Sequence, residues 1–368
     1  MWLHFCAPAC AAAAEAGGWA GGGTPPKRRA FTIDLHCHVL TPQAEALVAG
    51  TPQKAAEPEM MLASMGAASV AHNNTVMLPQ AGPRLTKIAQ RLDDMDRMGV
   101  DVQVISPSPT QYYYWAERER AAEIVRVQNE HIASLCGAHP KRLAGLGTVA
   151  LQHPDMACEQ LEYAVRKLGL KGVEISTSVN GKELSDPSLR PFWDKAEVLG
   201  ALIFIHPFGT TLGERTNSHY LVNTIGQPLE TTIALSHLIF GGVLDTFPGL
   251  KIVAAHGGGY LPTYIGRSDH AFNVRPEAAA QCRTKPSDLL KRIWFDSVVY
   301  DPTALRHLVD RVGASQVVIG TDYPFDMGHY DIHSLVDNTP GISAEERAAI
   351  LGGNAAQLIG WKIEEKAA

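Results

Sequence analysis

The sequence predicts an α/β protein, a closed (β/α)8 TIM barrel of eight parallel strands with inserted loops or a small subdomain. Short β-branched and apolar runs alternate with longer amphipathic stretches from about residue 32 onward, which is the pattern of repeated strand–helix units. The runs at 202–205 and 252–255 are continuously apolar, as expected of strands that are buried on both faces. At 368 residues, the chain is long enough for one such barrel with insertions.

The elements follow this alternation in chain order. The predicted strands cover residues 32–36, 102–106, 143–149, 172–176, 202–206, 252–256, 293–297 and 317–322. The predicted helices cover residues 84–98, 116–136, 155–168, 191–199, 230–244 and 302–312. A helix therefore separates most successive strands, as the crossover connections of a parallel sheet require.

The domain organisation is expected to be simple. Residues 1–30 are rich in Ala and Gly, and we interpret them as a flexible N-terminal extension, because a secretory signal needs positive charge before its apolar stretch and the first basic residue is Lys27. Residues 31–368 are expected to form a single metal-dependent barrel domain. The insertion at about 41–83 is too long for an ordinary βα loop, which is typical of a lid or a small subdomain.

The charge balance and the cysteines limit the classes of partner. The 32 Lys and Arg residues are outnumbered by 38 Asp and Glu residues, which gives a formal net charge of −6. We therefore expect no nucleic-acid partner, and an anionic substrate would need local positive charge from a metal ion or from arginines. The six cysteines have no disulfide-framework spacing, which favours a reducing cytoplasm. No run of about 18 apolar residues occurs, so no membrane span is expected.

Several predicted strands end in residues that bind metals. The first strand ends in His36-Cys37-His38, the fifth ends at His206, and the eighth ends at Asp322. Because the carboxyl ends of barrel strands meet at one rim, we expect these side chains to converge. A strand's period of two directs His36 and His38 to the same face and Cys37 to the other. A single histidine is more often a packing residue, but this set is hard to explain by packing.

Three imidazoles and one carboxylate make a donor set suited to one Zn2+ per subunit, held by His36, His38, His206 and Asp322. His256 ends the sixth strand, and a neutral imidazole beside a metal site is suited to general acid–base catalysis. Glu174, near the end of the fourth strand, either faces the barrel mouth or holds a buried hydrogen bond. No lysine lies in that strand interior to form a carboxylated bridge, so we expect one metal.

Arg91 and Arg267 are the leading candidates to bind a substrate carboxylate. A guanidinium group matches a carboxylate with two parallel hydrogen bonds. Taken alone, either arginine is more often a solvated or ion-paired surface residue.

The sequence resembles the amidohydrolase-related metal-dependent decarboxylases from about residue 32 to residue 361. The resemblance rests on the blocks at 33–38, 114–116, 145–148, 206–207, 228–234, 255–259, 266–267 and 320–325. It implies a zinc-dependent, oxygen-independent decarboxylase of a small unsaturated or aromatic carboxylic acid. It also implies zinc binding by the four ligands named above, with His256 as acid/base and Asp322 as a second catalytic residue.

The same resemblance implies substrate contacts. Arg91 would hold the substrate carboxylate, and Arg267 would reach the neighbouring subunit's site in a homodimer. Trp115, Phe208 and Phe325 lie in or beside the matching blocks and are implied as further substrate contacts. Phe208 departs from one member of the family, in which Trp follows His-Pro, so an indole donor is lost.

Two alternatives use the same residues differently. A zinc-activated water could instead hydrolyse a lactone or an amide, or hydrate an enolic dicarboxylate. A barrel retained only for binding or scaffolding is disfavoured, because every expected metal ligand is present.

Overall fold

A computed structural model describes residues 30–363 of the chain. The predicted flexible extension therefore lies outside the described residues, except for Ala30. The strands are β1 Ile33–Val39, β2 Val102–Pro107, β3 Leu143–Gly145, β4 Gly172–Ile175, β5 Ser178–Val179, β6 Lys182–Glu183, β7 Leu202–Ile205, β8 Lys251–Ala254 and β9 Trp294–Phe295. All of them except the β5–β6 hairpin belong to parallel sheets.

The parallel strands follow one another around a ring. One sheet has the order β1-β2-β3 and the other has the order β4-β7-β8-β9. A bridge between Gly147 and Val173 links β3 to β4, and a bridge between Phe295 and Val317 links β9 to the segment 317–323. That segment returns to β1 through parallel bridges of Asp34 with Ile319 and Cys37 with Tyr323. The predicted TIM barrel is confirmed, although its eighth strand is held by isolated bridges.

The helices surround this ring. They are α1 Pro42–Val48, α2 Pro52–His72, α3 Leu78–Thr86, α4 Ile88–Met98, α5 Arg118–Ala138, α6 Pro154–Arg166, α7 Arg190–Leu199, α8 Gln227–Phe240, α9 Val243–Thr246, α10 Leu261–Val274, α11 Pro286–Leu290, α12 Pro302–Val312, α13 Ile332–Asp337, α14 Ala344–Ala348 and α15 Asn354–Ile359. In residues 30–363, no helix combines the length and hydropathy that a bilayer span requires.

Two predicted helices are each divided in the structure. The stretch predicted at 84–98 contains the end of α3 and all of α4, because Lys87 adopts extended backbone angles between them. The stretch predicted at 230–244 is divided into α8 and α9 at Gly242, whose φ of 70° ends helical geometry. The predicted helix 302–312 coincides with α12. The side chain of its N-cap residue, Asp301, accepts hydrogen bonds from the backbone N–H groups of Thr303 and Ala304.

A bulge in β1 directs the two predicted histidine ligands into the barrel mouth. Ile33 and Leu35 pack in the cluster that fills the barrel interior, whereas Cys37 packs in the layer between strands and helices. The register of β1 against β2 shifts between Asp34 and Cys37. An irregularity of this kind changes which face a side chain meets, so apolar residues and His36 can share the inner face.

The residues of the long insertion form α1, α2 and most of α3, and α2 contacts the connection after β7. Helix α2 is kinked at Gly66, which has φ 77° and ψ 164°. A Cβ atom at this position would lie 1.9 Å from the backbone oxygen of Asn217. At the end of α2, His72 Nε2 lies 3.2 Å from Asp326 Oδ2 in the loop after the eighth strand. The insertion thus touches two loops at the carboxyl end of the barrel.

We predict that Gly66→Ala destabilises this contact by about 1–3 kcal/mol, because alanine disfavours a positive φ and its methyl group would overlap the Asn217 carbonyl. Denaturant unfolding, together with hydrogen exchange in α2, measures the effect. Gly82→Ala is the matched control, because Gly82 lies in α3 with open space around its Cβ position. Equal stability of the two variants would contradict this role of the kink.

Candidate metal centre

The predicted ligands converge at the carboxyl end of the barrel. His36, His206, His256 and Asp322 each offer one ligand atom, and these atoms lie within 4.8 Å of one another. The Nε2 atoms of His36 and His38 are 3.1 Å apart. Asp322 Oδ1 lies 3.3 Å from the first of them and 3.4 Å from the second. All the side chains proposed from the strand ends therefore meet at one place.

Several polar atoms of this cluster are buried without a hydrogen-bond partner among the described residues. They are both ring nitrogens of His206, Nδ1 of His256 and Oδ1 of Asp322. Buried polar atoms are rarely left unpaired, because losing water without a replacement partner costs free energy. A divalent cation would satisfy nitrogen and carboxylate donors together, so the residues present fit a metal site.

The pKa shifts of His206 and Asp322 favour the forms that bind a metal ion, whereas His36 differs. Burial lowers the pKa of His36, but the charge of Asp322 and the hydrogen bond to Asp296 raise it to about 10, so a metal ion bound there would displace its proton. Burial and the neighbouring histidines hold the pKa of His206 well below its usual value, which keeps its imidazole neutral. Burial by itself would raise the pKa of Asp322, but the charge of His36 and the close imidazoles around the carboxylate hold it well below the usual range. Neutral imidazole and ionised carboxylate are the forms that bind metal ions.

Asp296, which follows β9, holds His36 and the loop of His256 together. Its Oδ2 lies 2.5 Å from His36 Nδ1 and accepts a hydrogen bond from the backbone N–H of His256 at 2.9 Å. Its Oδ1 accepts from the N–H groups of Gly257 at 2.8 Å and Val298 at 3.1 Å. Asp296 is completely buried. Sequence reasoning did not identify it, although the seventh strand also ends in a carboxylate.

Glu174 lies against His38. The hydroxyl of Tyr112 donates to Glu174 Oε1 at 2.6 Å, and Glu174 Oε2 lies 3.5 Å from His38 Nδ1. The same Nδ1 lies 3.0 Å from the carbonyl oxygen of Pro107. Of the two roles left open by the sequence, the Tyr112 contact is the buried hydrogen bond, whereas Glu174 Oε2 has no hydrogen-bond partner among the described residues and the Pro107 carbonyl pairs with the ring nitrogen of His38.

Asp34 fixes the first strand against the segment that carries Asp322. Its carboxylate accepts hydrogen bonds from Thr321 N at 3.0 Å, Thr321 Oγ1 at 2.6 Å and Gln103 Nε2 at 2.9 Å.

His256 and Asp322 have positive φ values of 55° and 56°. Such backbone angles are uncommon for residues other than glycine, and they persist when surrounding contacts hold them.

The structure does not place Arg91 as a free anion-binding group. The side chain is completely buried, and its guanidinium donates to the carbonyl oxygen of His38 and, at 2.8 Å, to Gln103 Oε1. It also lies 4.7 Å from the centre of the Tyr323 ring. A substrate carboxylate would have to displace these contacts; the substrate role of Arg91 stays a prediction, and in this structure the guanidinium holds the backbone of His38.

The other predicted substrate contacts differ in how close they lie to the cluster. The ring centre of Phe325 lies 5.6 Å from that of His38, which places it beside the cluster. Phe208 is half exposed and meets Tyr112 edge to face at 6.4 Å. Trp115 contacts Tyr113 at 5.7 Å. Arg267 is exposed on α10 and is not brought to the cluster of its own subunit.

A cavity of about 430 Å³ opens beside His256. Its walls come from the start of α8, from Gly259 and Tyr260, and from residues 298–300 after β9. The volume lies in the range of small-molecule sites. The metal cluster therefore has a ligand-sized space next to its candidate acid/base.

We predict that Asp296→Asn weakens metal binding by about 10–100-fold, because one amide oxygen replaces two carboxylate oxygens that face four N–H groups. Chelator competition measures the metal affinity. Asp245→Asn is the control, because that carboxylate accepts N–H bonds from Arg283 and Thr284 in a remote loop. Unchanged metal affinity in Asp296→Asn would show that His36 needs no such support.

The chain is similar to known proteins over nearly all of its described length. A sequence model of the amidohydrolase family matches residues 33–361. The chain is 38% identical over 271 residues to 2-amino-3-carboxymuconate-6-semialdehyde decarboxylase of Dictyostelium discoideum, covering 73% of this chain and 76% of that protein.

Solved structures show the same architecture. That of 5-carboxyvanillate decarboxylase from Sphingomonas paucimobilis has a TM-score of 0.76 and 25% identity, covering 90% of this chain and 99% of that one. A dihydroxybenzoic acid decarboxylase from Polaromonas, solved with bound manganese, has a TM-score of 0.73 and 23% identity, covering 90% and 97%. The chain belongs to the amidohydrolase family, within its metal-dependent decarboxylases, and is a carboxy-lyase.

Proposed function

We propose that this protein is a zinc-dependent, oxygen-independent decarboxylase of a small unsaturated or aromatic carboxylic acid. The class includes 2-amino-3-carboxymuconate-6-semialdehyde and related compounds such as the hydroxybenzoates. The observation that carries the proposal is the meeting of four histidines, His36, His38, His206 and His256, and the carboxylate of Asp322 at the barrel rim, beside a ligand-sized cavity.

His36, His38, His206 and Asp322 would hold the metal. Three imidazole nitrogens and one carboxylate oxygen suit zinc, while the manganese of the Polaromonas relative makes the identity of the ion a matter for measurement. When bound, a divalent cation supplies Lewis-acid charge where negative charge develops in the reaction. The carboxylate of Asp296 supports the ring of His36, and the carbonyl oxygen of Pro107 supports the ring of His38.

His256 is the group placed to move a proton. It lines the cavity, its Nε2 lies 3.6 Å from Asp322 Oδ2, and its side chain is 15% exposed. Loss of carbon dioxide breaks a carbon–carbon bond and leaves the electron pair on the substrate carbon. A proton delivered by His256 to that carbon completes the exchange without oxygen or an organic cofactor. Asp322 assists by holding the charged form of this imidazole.

The assembly and the aromatic contacts complete the proposal. Phe325 and Phe208 would border the substrate near His38 and Tyr112, and Trp115 would extend that border. Arg267 would reach the site of a second subunit in a homodimer, since it is exposed and away from its own cluster.

A cytoplasmic location is supported by Cys37, Cys136, Cys158 and Cys282, which are unpaired thiols.

The reaction class is tested by incubating the metal-loaded protein, under argon, with 2-amino-3-carboxymuconate-6-semialdehyde and a panel of hydroxybenzoates. We expect carbon dioxide release that disappears after chelation and returns when Zn2+ or Mn2+ is added. The mass of the product separates the rivals, because decarboxylation removes carbon dioxide whereas hydrolysis or hydration adds water. Release of carbon dioxide by the chelated protein, or none by the loaded one, would contradict the proposal.

We predict that His36→Ala and Asp322→Ala lower the metal content, whereas His256→Ala retains the metal and loses about 100–10,000-fold in rate. The reason is that the first two residues supply ligand atoms and His256 supplies the proton. Metal analysis of the purified variants, together with single-turnover rates, measures both effects. His139→Ala is a control, because His139 lies outside the cluster, at the C-terminal cap of α5. A metal-free His256→Ala protein would show that His256 is itself a ligand.

A further inference from the structure

We infer that the first two turns of α8 carry two positioning residues for the proposed reaction. Glu230 holds the loop that follows the candidate ligand His206. Thr232 holds the loop that follows the candidate acid/base His256. The inference rests on the roles proposed for these two histidines, and it means that each role can be disturbed without the other.

Two of the site histidines have ring nitrogens without a hydrogen-bond partner. The ring of His36 has such a partner, since its Nδ1 lies 2.5 Å from Asp296 Oδ2. Among the described residues, by contrast, both ring nitrogens of His206 and Nδ1 of His256 have none. The positions of these two rings therefore depend more strongly on the backbone that carries them.

Glu230 fixes the loop after His206. Its side chain is buried, and its Oε1 accepts hydrogen bonds from Thr211 N at 2.7 Å, Thr211 Oγ1 at 2.8 Å and Thr210 Oγ1 at 3.2 Å. A Cβ atom at Gly226, just before α8, would lie 2.8 Å from Thr210 Cβ, so the loop packs closely on the start of the helix. One carboxylate oxygen thus anchors the chain a few residues beyond a candidate metal ligand.

Thr232 fixes the loop after His256 from the same helix. Its Oγ1 accepts a hydrogen bond from the backbone N–H of Tyr260 at 2.8 Å and donates to the carbonyl of Pro228 at 2.8 Å. A Cβ atom at Gly259 would lie 2.0 Å from that same carbonyl oxygen. Glycine at this position therefore lets the loop approach α8, and the Thr232 hydroxyl joins the two.

The two contacts act on different parts of the proposed reaction. Glu230 is connected through its loop to a candidate ligand, so its loss should weaken metal binding. Thr232 is connected to the acid/base, so its loss should misplace the proton donor relative to the substrate carbon. Because both residues lie on one helix, they also keep the two loops at a fixed separation.

Substitutions that remove the polar contact and keep similar side-chain volume test each connection in the full-length protein. Glu230→Leu should weaken metal binding about 10-fold in chelator competition, and it should raise hydrogen exchange of the metal-free protein in residues 207–212 but not in 257–260. Thr232→Val should raise exchange in 257–260 alone. It should also lower the single-turnover rate of carbon dioxide release by about 10–100-fold with unchanged metal affinity.

Conservative variants separate positioning from a general loss of structure. Glu230→Gln keeps an oxygen for the three donors and Thr232→Ser keeps the hydroxyl, so each should recover most of the lost function. Thr231→Val is the matched control, because the Thr231 hydroxyl donates within its own helix, to the carbonyl of Gln227 at 3.3 Å. Thr211→Val removes one donor from the exposed side of the Glu230 contact, and it replaces Glu230→Leu if that variant folds poorly.

Equal losses of metal affinity and rate in both variants, or exchange no different from that of Thr231→Val, would overturn the inference. Failure of Glu230→Gln and Thr232→Ser to recover function would also overturn it. If the wild-type protein released no carbon dioxide from any acid of the panel while the differences in exchange and metal affinity persisted, the proposed decarboxylation would fail and the two positioning contacts would stand.

Discussion

The pairing of the first and eighth barrel strands is the constraint on which the metal cluster depends. It joins the two ends of the sheet and carries His36, His38 and Asp322. The backbone joins this seam through isolated bridges and through hydrogen bonds, among them Leu35 N–H to the carbonyl of Ile319 and His38 N–H to the carbonyl of Tyr323. The Asp34 carboxylate adds hydrogen bonds to the backbone and hydroxyl of Thr321, the residue before Asp322. A buried side chain, in place of a long ladder, therefore helps to set the ligand spacing.

The convergence of the candidate ligands could be predicted from the sequence because each follows an apolar run, and the carboxyl ends of parallel strands meet at one rim. Asp296 could not be recognised in the same way. The strand before it spans only Trp294–Phe295, and its importance comes from the ring of His36 and the backbone around His256. Those partners are distant in the chain, and no local pattern indicates such a contact.

The arginines mark a second limit of sequence reasoning. A guanidinium can also bind carbonyl oxygens, and the fold places Arg91 beside the backbone of His38, where it is fully buried. Its helix starts after the break at Lys87, which the amphipathic pattern did not indicate. The structure separates two parts of the site. The candidate ligands lie at the strand ends, and the described residues that line the adjoining cavity include no Lys, Arg, Asp or Glu.

Cys37 lies between the two histidines of the first strand but faces away from them. Its thiol donates to the carbonyl of Val104, and burial raises its pKa well above the usual value. A protonated, sequestered sulfur neither competes for a soft metal ion nor reacts readily with oxidants. The fold thus places a thiol beside the candidate ligands while keeping its sulfur away from a bound metal ion. Thiol-directed reagents should not modify Cys37 while the protein is folded.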